Sequence, residues 1–233
     1  MSSYLRQKYK RWRYILQKEG LFAFFVKGVR FLRRCVFIHE RYYMYEVPLN
    51  EPMKFESTPK IQDFSFYIIP TSQRLKELVA QGCDFGIHII GAEEKLNNGA
   101  IMSCVFVGKE LACIHWAAAT QKTMNILTEI PYKVDFSNSE AYLGWSETNP
   151  QYRRLHLSSY LYWEEKKFLV TMGKTTGRTL VEKSNFASLN CLPKAGGRIY
   201  GEGRYLRILG WKSWKEKPVV REQVSPSLLR GKR

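Results

Sequence analysis

The spacing of apolar positions divides the chain into a helical first part and a later part in which strands and helices alternate. Over residues 4–43, apolar side chains recur at helical intervals and most cations fall between them, which predicts one or two basic amphipathic helices. The apolar positions of this stripe are Leu21, Phe25, Val29, Leu32 and Val36. The next segment, "VPLNEPMKFESTPKIQ", contains three prolines and few apolar residues, as is typical of a linker.

Beyond the linker, the pattern predicts a mixed α/β domain. "DFSFYIIP" reads as a strand, and "TSQRLKELVAQG" as a helix capped by Thr71 or Ser72 and ended by Gly82. "GAIMSCVFVGKE" and "LACIHWAAAT" form a predicted antiparallel hairpin, and "EAYLGWSE" is a further strand. A helix over Leu157–Met172, the strand "RTLVEKS", the short helix "FASLNCLPKAG" and one or two closing strands in "RIYGEGRYLRILGWKSW" complete the order.

This order gives the predicted domain limits. Residues 1–46 form a basic, aromatic, amphipathic helical segment, 47–61 a linker, 62–217 the α/β domain and 218–233 a basic flexible tail. Strands that alternate with helices and include a meander predict a sheet of mixed direction.

Charge is concentrated at the two ends of the chain. The net charge is +16, with an excess of +9 over Met1–Tyr43 and +7 over Arg198–Arg233, and none between them. Such ends favour an anionic partner: a lipid surface, a nucleic acid, an acidic acyl carrier protein or a phosphorylated substrate. Twelve of the 33 aromatic residues lie in the first 45 positions, which suits a helix lying on an anionic membrane surface through residues 4–43. The alternative is a helix packed on the protein's own body.

The cysteines and the apolar runs bear on the compartment. The five cysteines are scattered, with no C-x-x-C pair and no Cys/His spacing suited to zinc, which favours a reducing compartment and no metal. The longest apolar run near the N-terminus, "LFAFFV", has six residues, far short of a membrane span, and it lacks the features of a secretory signal. We therefore expect a cytoplasmic protein, bound peripherally to the inner membrane face if the basic helices contact lipid.

One stretch carries most of the functional information. In "TNPQYRRLHLSSYL" a polar, basic turn immediately precedes a helix start, where several backbone N–H groups have no acceptor within the helix. These donors and the positive end of the helix dipole together favour an anion such as a diphosphate.

Two motifs resemble those of the GNAT acyltransferase family. "NPQYRRLHLSSYL" is similar to the family's P-x-Y-R-G-x-G-x-G/A turn, with Pro150, Tyr152 and Arg153 matching. "SNFASLNCLPKAGG" is similar to N-x-x-S/A-x-x-x-Y-x-K-x-G-F. Its matching residues are Asn185, Ser188, Lys194 and Gly196. The resemblance covers about residues 62–215 and implies a mostly antiparallel sheet whose central parallel strands splay apart, flanked by helices.

The motif is degenerate at two places. Arg154, His156 and Ser158 stand where the family usually has glycine. Ser158 is small enough to be harmless, whereas Arg154 and His156 either weaken donor binding or add charge-assisted contacts to the phosphates. Leu192 stands where many members have a tyrosine that protonates the leaving thiolate. The general acid is then absent, replaced by Tyr200 or Tyr205, or supplied by solvent.

The resemblance implies that acetyl-coenzyme A is the co-substrate and that an amine attacks its thioester. Main chain near Trp145, Ser146 and Thr148 would line the pantetheine, and Asn185 and Ser188 would contact it, although Asn185 is also a good helix N-cap. The residues implied at the diphosphate are Arg153, Arg154, Leu155, His156, Leu157, Ser158 and Ser159.

The candidate bases are Glu147, Glu140 and His115, since a carboxylate or imidazole must take the amine's proton. The bland alternative is a solvated charge at a strand end for each glutamate and a hydrogen-bonded core residue for His115. Cys191 is a conceivable nucleophile, but it lacks a spaced histidine and reads as an ordinary buried thiol.

Three hypotheses follow. The first is an acyl-CoA-dependent N-acyltransferase acting on an amine acceptor, at a membrane surface or on an envelope precursor. The second is a catalytically degenerate protein of the same fold that binds a partner or nucleic acid through its basic ends. The third keeps the enzyme but replaces free coenzyme A with an acyl carrier protein.

Overall fold

The structure is a computed structural model that describes residues 36–51 and 58–219, together with positions 13, 16–17, 21–22, 26 and 28. Most of the predicted basic helical segment and nearly all of the predicted tail lie outside the described residues. No helix in the described part is long and apolar enough to cross a bilayer.

The described residues form eight strands and five α-helices. The strands are β1 (Phe37–Pro48), β2 (Phe64–Ile69), β3 (Ala100–Val107), β4 (Glu110–Ala118), β5 (Glu140–Thr148), β6 (Thr176–Glu182), β7 (Arg198–Ile208) and β8 (Trp211–Pro218). The helices are α1 (Ser72–Ala80), α2 (Ala92–Asn97), α3 (Gln121–Leu127), α4 (Leu157–Thr171) and α5 (Phe186–Cys191). Short 3-10 turns cover Gly86–Ile89, Phe136–Asn138 and Pro150–Tyr152.

The strands make one sheet in the order β2-β3-β4-β5-β6-β1-β7-β8. Each recorded strand pairing is antiparallel except that of β5 with β6, which is parallel. The parallel pairing covers three positions, from Glu140 opposite Thr176 to Tyr142 opposite Arg178. The two strands then continue to Thr148 and Glu182 without pairing. The predicted mixed sheet with splayed central parallel strands is therefore confirmed.

Local sequence signals explain much of this architecture. Thr71 caps α1 by accepting a hydrogen bond from the Arg74 N–H at 3.2 Å, as predicted. Gly173, with φ 74°, follows the end of α4 in the left-handed conformation that glycine adopts without a Cβ clash. The predicted hairpin is β3 and β4, and β7 and β8 form the closing hairpin.

Both faces of the sheet centre are covered by helices. Met102, Cys104 and Phe106 of β3 pack in the same core as residues of α1 and α2. The intervening Ser103 and Val105 turn towards α4, where Ser103 hydrogen-bonds Glu165 and Val105 packs with residues of that helix. Strands buried on both faces read as continuous apolar runs, which is the pattern of β3 and β4.

The predicted boundary at residue 46 is wrong. Phe37–Pro48 is a strand inserted between β6 and β7, not the end of a basic helix followed by a linker. Tyr45 and Val47 are fully buried, and Leu49 belongs to the same core. The helical spacing predicted from the sequence continues to Val36. The residues that follow are rich in Tyr and include β-branched side chains, which favour a strand when β6 and β7 are there to pair with it.

The closed end of the parallel pair is held by a partly buried ion pair. Arg178 donates to Glu140 Oε1 from Nε at 2.7 Å, and it lies 3.2 Å from Glu46 Oε2. Glu140 is 7% exposed and its second oxygen, Oε2, accepts the Asp135 N–H at 2.8 Å. A buried carboxylate in this position depends on its cation, because an unpaired charge is costly in the interior.

We expect Arg178→Met to lower the free energy of unfolding by about 3–5 kcal/mol, because the change leaves Glu140 buried without its cation. The matched control is Arg198→Met, which breaks an exposed pair with Glu51 at 3.4 Å. That change should cost less than about 1 kcal/mol. Urea denaturation of both variants measures the difference, and equal losses would contradict a role for Arg178 in the closed end.

Candidate functional site

A cleft opens where β5 and β6 separate. It has a volume of about 1100 Å³ and is bounded by the free parts of these strands, the N-terminal half of α4 and the helix α5. In open α/β sheets, ligands bind in a crevice beyond the carboxyl ends of parallel strands. This cleft has the same position relative to β5 and β6. The predicted residues that line the cleft are His115, Trp145, Ser146, Glu147, Thr148, Arg153, Arg154, His156, Leu157, Ser158, Ser159, Asn185 and Ser188.

A β-bulge in β5 shapes one wall of the cleft. Between the pairs His115–Ser146 and Ala117–Leu143, one residue of β4, Trp116, faces two of β5, Gly144 and Trp145. A Cβ at Gly144 would lie 2.8 Å from the Trp116 carbonyl oxygen, so the bulge requires glycine there. The following side chains, Trp145, Ser146 and Glu147, are exposed.

The turn before α4 presents main-chain donors to the cleft. Within the described residues, the N–H groups of positions 154–159 have no recorded hydrogen-bond acceptor, whereas the next one, that of Tyr160, donates to the His156 carbonyl at 3.0 Å. The turn is not sealed by other side chains: Arg153, Arg154 and His156 are exposed, and Leu157 is buried in the core. The arrangement fits an anion, since these unpaired donors lie at the N-terminus of α4, the positive end of its dipole.

Two non-glycine residues of this turn adopt the backbone conformation of glycine. Arg154 has φ 67° and His156 has φ 61°, both in the left-handed region. These are positions at which the resembling motif has glycine. Arg154 and His156 therefore hold a glycine-like backbone at a conformational cost of about 1–2 kcal/mol per residue.

Glu110 fixes the turn from the opposite side. Its carboxylate accepts hydrogen bonds from Asn149 Nδ2 at 3.0 Å, Gln151 Nε2 at 2.6 Å and the Tyr152 hydroxyl at 2.9 Å. On the other flank, the Lys60 N–H donates to the Leu155 carbonyl at 2.9 Å. These bonds position the donors of the turn before any ligand arrives.

A buried polar network reaches the cleft from β4 and α4. His115 is 4% exposed, and its Nδ1 is hydrogen-bonded to Oε2 of Glu165, which is 1% exposed. The other oxygen of Glu165, Oε1, accepts the Ser103 hydroxyl at 3.0 Å. Because Nδ1 is engaged by the carboxylate, Nε2 is the ring nitrogen left for a ligand in the cleft.

Tyr162 brings a second polar group to the same part of the cleft. Its ring lies 5.6 Å from that of His115, and its hydroxyl oxygen is buried with no hydrogen-bond partner among the described residues. A buried, unpartnered hydroxyl costs about 1–3 kcal/mol, so its presence beside a cavity needs an explanation. Burial raises the pKa of Tyr162 well above its ordinary value, so the hydroxyl keeps its proton at neutral pH.

The other candidate acids and nucleophiles fit less well. Tyr200 and Tyr205 are not among the described residues that line the cleft. Leu192, at the position of the motif's tyrosine, does line it. Cys191 lies in the cleft, but burial raises the pKa of its thiol, which disfavours the thiolate that a nucleophile needs.

Glu140 does not suit the role of base. It lies at the closed end of the strands, outside the residues that line the cleft, and both carboxylate oxygens hold Arg178 or the Asp135 N–H. Glu147, in contrast, is exposed and borders both the cleft and a smaller pocket of about 280 Å³. That pocket also includes Asp84, His88 and Glu110.

Asn185 acts as the N-cap of α5. Its side-chain oxygen accepts the Ser188 N–H at 3.2 Å, and both residues line the cleft. The capping role predicted from the sequence is confirmed. A contact from Asn185 to a ligand stays a prediction.

Sequence reasoning missed Glu165 and Tyr162. Glu165 continues the buried stripe of α4, which runs Leu157, Leu161, Glu165, Leu169 at intervals of four. A single carboxylate on an otherwise apolar helical stripe was the available signal, because a charge there needs a buried partner. Tyr162 carried no such signal.

Comparison with known proteins finds similar solved structures at low sequence identity. No protein-family model and no curated protein matches the chain. Similar solved structures include a tandem GNAT protein from the clavulanic acid biosynthesis pathway, at 10% identity and TM-score 0.49 over 78% of this chain and 55% of that one. A second is a GNAT-family acetyltransferase from Colwellia psychrerythraea, at 13% identity and TM-score 0.46 over 74% of this chain and 56% of that one. A third is a GCN5-related N-acetyltransferase from Sphaerobacter thermophilus, at 11% identity and TM-score 0.46 over 82% of this chain and 56% of that one. The chain spans just over half the length of each of these.

We expect Arg154→Gly to raise the free energy of unfolding by up to about 1 kcal/mol, because glycine relieves the left-handed backbone strain. The matched control is the neighbouring Arg153→Gly, at φ −68° and ψ 153°. With no strain to relieve, that change should lower stability by up to about 1 kcal/mol. Urea denaturation distinguishes the two, and a loss for both would contradict the strained turn.

Proposed function

We propose that the protein is an acyl-CoA-dependent N-acyltransferase of the GNAT type, with acetyl-coenzyme A as its donor. One observation carries the proposal: the parallel strands splay apart to open a cleft, and the N–H groups of residues 154–159, which have no recorded acceptor, lie at the mouth of the same cleft. A diphosphate would take these donors, and the pantetheine arm would run along the free edge of β5 past Thr148, Ser146 and Trp145. Arg153, Arg154 and His156 supply positive or hydrogen-bonding side chains beside the phosphates.

For the chemical step, we propose His115 as the general base. Glu165 would accept a hydrogen bond from Nδ1–H and so fix the tautomer, which leaves Nε2 free to remove a proton from the acceptor amine. The amine nitrogen then forms a bond to the thioester carbonyl carbon as the carbon–sulfur bond breaks. Tyr162, which stays protonated between turnovers, would donate its proton to the departing thiolate, in the role of the tyrosine that the family has where this chain has Leu192. The proton held on His115 would then return to Tyr162 through solvent.

The acceptor side of the site is a finer proposal. The smaller pocket meets the cleft at Glu147, and its carboxylates favour an acceptor whose amine is cationic before it loses a proton. Glu147 is the alternative base. That the acceptor is an envelope precursor, or that an acyl carrier protein delivers the acyl group, rests on the basic ends of the chain alone.

The competing proposal is a protein of this fold that no longer catalyses transfer and binds a partner through its basic ends. Leu192 and the strained Arg154 and His156 are the features in its favour. Two measurements separate the proposals, because only the enzyme requires both saturable acetyl-coenzyme A binding and thiol release with an amine acceptor.

We expect Ser159→Glu to weaken acetyl-coenzyme A binding at least about tenfold, because the new carboxylate repels the diphosphate. The variant should remain folded, since an acidic side chain near a helix N-terminus is favourable. Isothermal titration measures the affinity, with Ser159→Gln as the uncharged control of equal size. Turnover of S-acetylpantetheine, which has no diphosphate, should be the same for both variants. Unchanged affinity in Ser159→Glu would remove the diphosphate site.

We expect His115→Asn to reduce kcat about 100-fold to 10,000-fold, the usual contribution of a general base, with little change in acetyl-coenzyme A affinity. The measurement is thiol release across a panel of amine acceptors. Glu147→Gln is the parallel variant, and it should retain most of the activity. If the loss falls on Glu147→Gln instead, that carboxylate is the base and His115 is a core residue.

A further inference from the structure

The end of the sheet opposite α1 exposes an apolar cluster that the proposed reaction does not use. We call this cluster the hairpin tip; it comprises Val36, Phe37, Ile208, Leu209 and Trp211. The residues are neighbours, because Phe37 pairs with Ile208, Ile208 pairs with Trp211, and the Leu209 N–H donates to the Val36 carbonyl at 2.9 Å. Leu209 is 79% exposed and Trp211 61%. Contiguous exposed apolar side chains of this kind mark a surface that meets another phase or partner.

The backbone conformation of the turn between β7 and β8 is a second unfavourable feature of the hairpin tip. Leu209 and Gly210 have φ 48° and 92°, so both central residues of the turn are left-handed. Turns of this type favour Asn, Asp or Gly at the first position, not a bulky apolar residue. A leucine here is unfavourable both for the backbone and for hydration, which indicates a role outside the folded core.

A row of cations lies behind the tip on one face of the sheet. Arg41, Arg204 and Lys215 are opposite one another across β1, β7 and β8, and all three are exposed. Within the described residues, none of the three has a recorded ion-pair partner. The row is four residues along β1 from Phe37, a distance of about 13 Å at the usual rise of a strand.

The hairpin itself is basic. Between Arg198 and Pro218 there are six Lys or Arg and two Glu. The adjoining residues 1–35 contain ten Lys or Arg and one Glu. Like charge therefore opposes covering of this face by the chain's own N-terminal segment and favours an anionic partner.

We propose that the hairpin tip inserts into the interface of an anionic membrane, with the row of cations at the headgroups. An amphipathic surface of this kind penetrates by about 5–10 Å, which places Trp211 and Leu209 below the headgroups and leaves the cation row level with them. Single-stranded nucleic acid fits less well, because bases stack on aromatic faces and the most exposed residue of the tip is an aliphatic side chain at the turn.

The test is cosedimentation of the full chain with vesicles of phosphatidylcholine alone or mixed with phosphatidylglycerol. We expect Leu209→Asn/Trp211→Ser to weaken binding to the mixed vesicles at least about tenfold. Arg204→Gln/Lys215→Gln should weaken it about thirtyfold, the effect of two surface cations. The matched controls are Met172→Ser, another exposed apolar residue, and Lys122→Gln/Lys133→Gln, which removes the same charge elsewhere. Both controls should bind as the wild type does.

Insertion has its own readout. Quenching of tryptophan fluorescence by brominated lipid should be stronger for the wild type than for Trp211→Phe, which keeps an aromatic residue at the tip. Equal quenching, or binding by the tip variants equal to that of the controls, would overturn the proposal and assign lipid binding to residues 1–35.

Tighter binding to a single-stranded oligonucleotide than to vesicles, dependent on Arg204 and Lys215 but not on Leu209, would assign the face to nucleic acid. Acyl transfer in solution should be unchanged in all tip variants, so failure here is distinct from failure of the proposed enzyme activity.

Discussion

The brevity of the parallel pairing between β5 and β6 is the constraint on which the cleft depends. The strands are joined at three positions and then separate, which leaves one edge of β5 without a strand partner and makes room beside the start of α4. Two features enforce the separation. The bulge at Gly144 redirects β5 on one side, and the partly buried pair of Arg178 with Glu140 closes the other end. The cleft is thus a property of the sheet itself, not of mobile loops.

Polar groups buried near this sheet differ in how completely they are paired. Arg178 and Glu140 satisfy each other and stabilise the closed end, where no ligand is needed. Glu165 satisfies Ser103 and one nitrogen of His115, and so leaves the second nitrogen of that imidazole to the cleft. In the part of the chain that the structure describes, the Tyr162 hydroxyl has no hydrogen-bond partner. Polar groups that are completely paired stabilise a fold, whereas incompletely paired ones beside a cavity indicate chemistry.

Local sequence patterns predicted most helices and strands. They could not predict the elements and contacts that depend on partners far away in the chain. The hairpin of β3 and β4, the helix α4 with its glycine end, and the turn before it are visible in the sequence because each depends on neighbouring residues. The strand β1 was read as helix because its partners, such as Thr179 opposite Tyr45, are far away in the chain. Within the site, the same limit applies to Glu165, whose partner His115 is 50 residues distant. Glu140 was misread because a carboxylate at a strand start looks alike whether it faces solvent or an arginine.

The position of β1 has a consequence for how the protein is made. This strand is among the first parts of the described chain to leave the ribosome, yet its two neighbours, β6 and β7, are among the last. Pairings of such high sequence separation form slowly, because loop closure must precede the contacts that reward it. The centre of the sheet is therefore completed only after β7 has emerged, and until then Tyr45 and Val47 expose an aggregation-prone strand. Synthesis of this protein should depend more on chaperones than its size suggests.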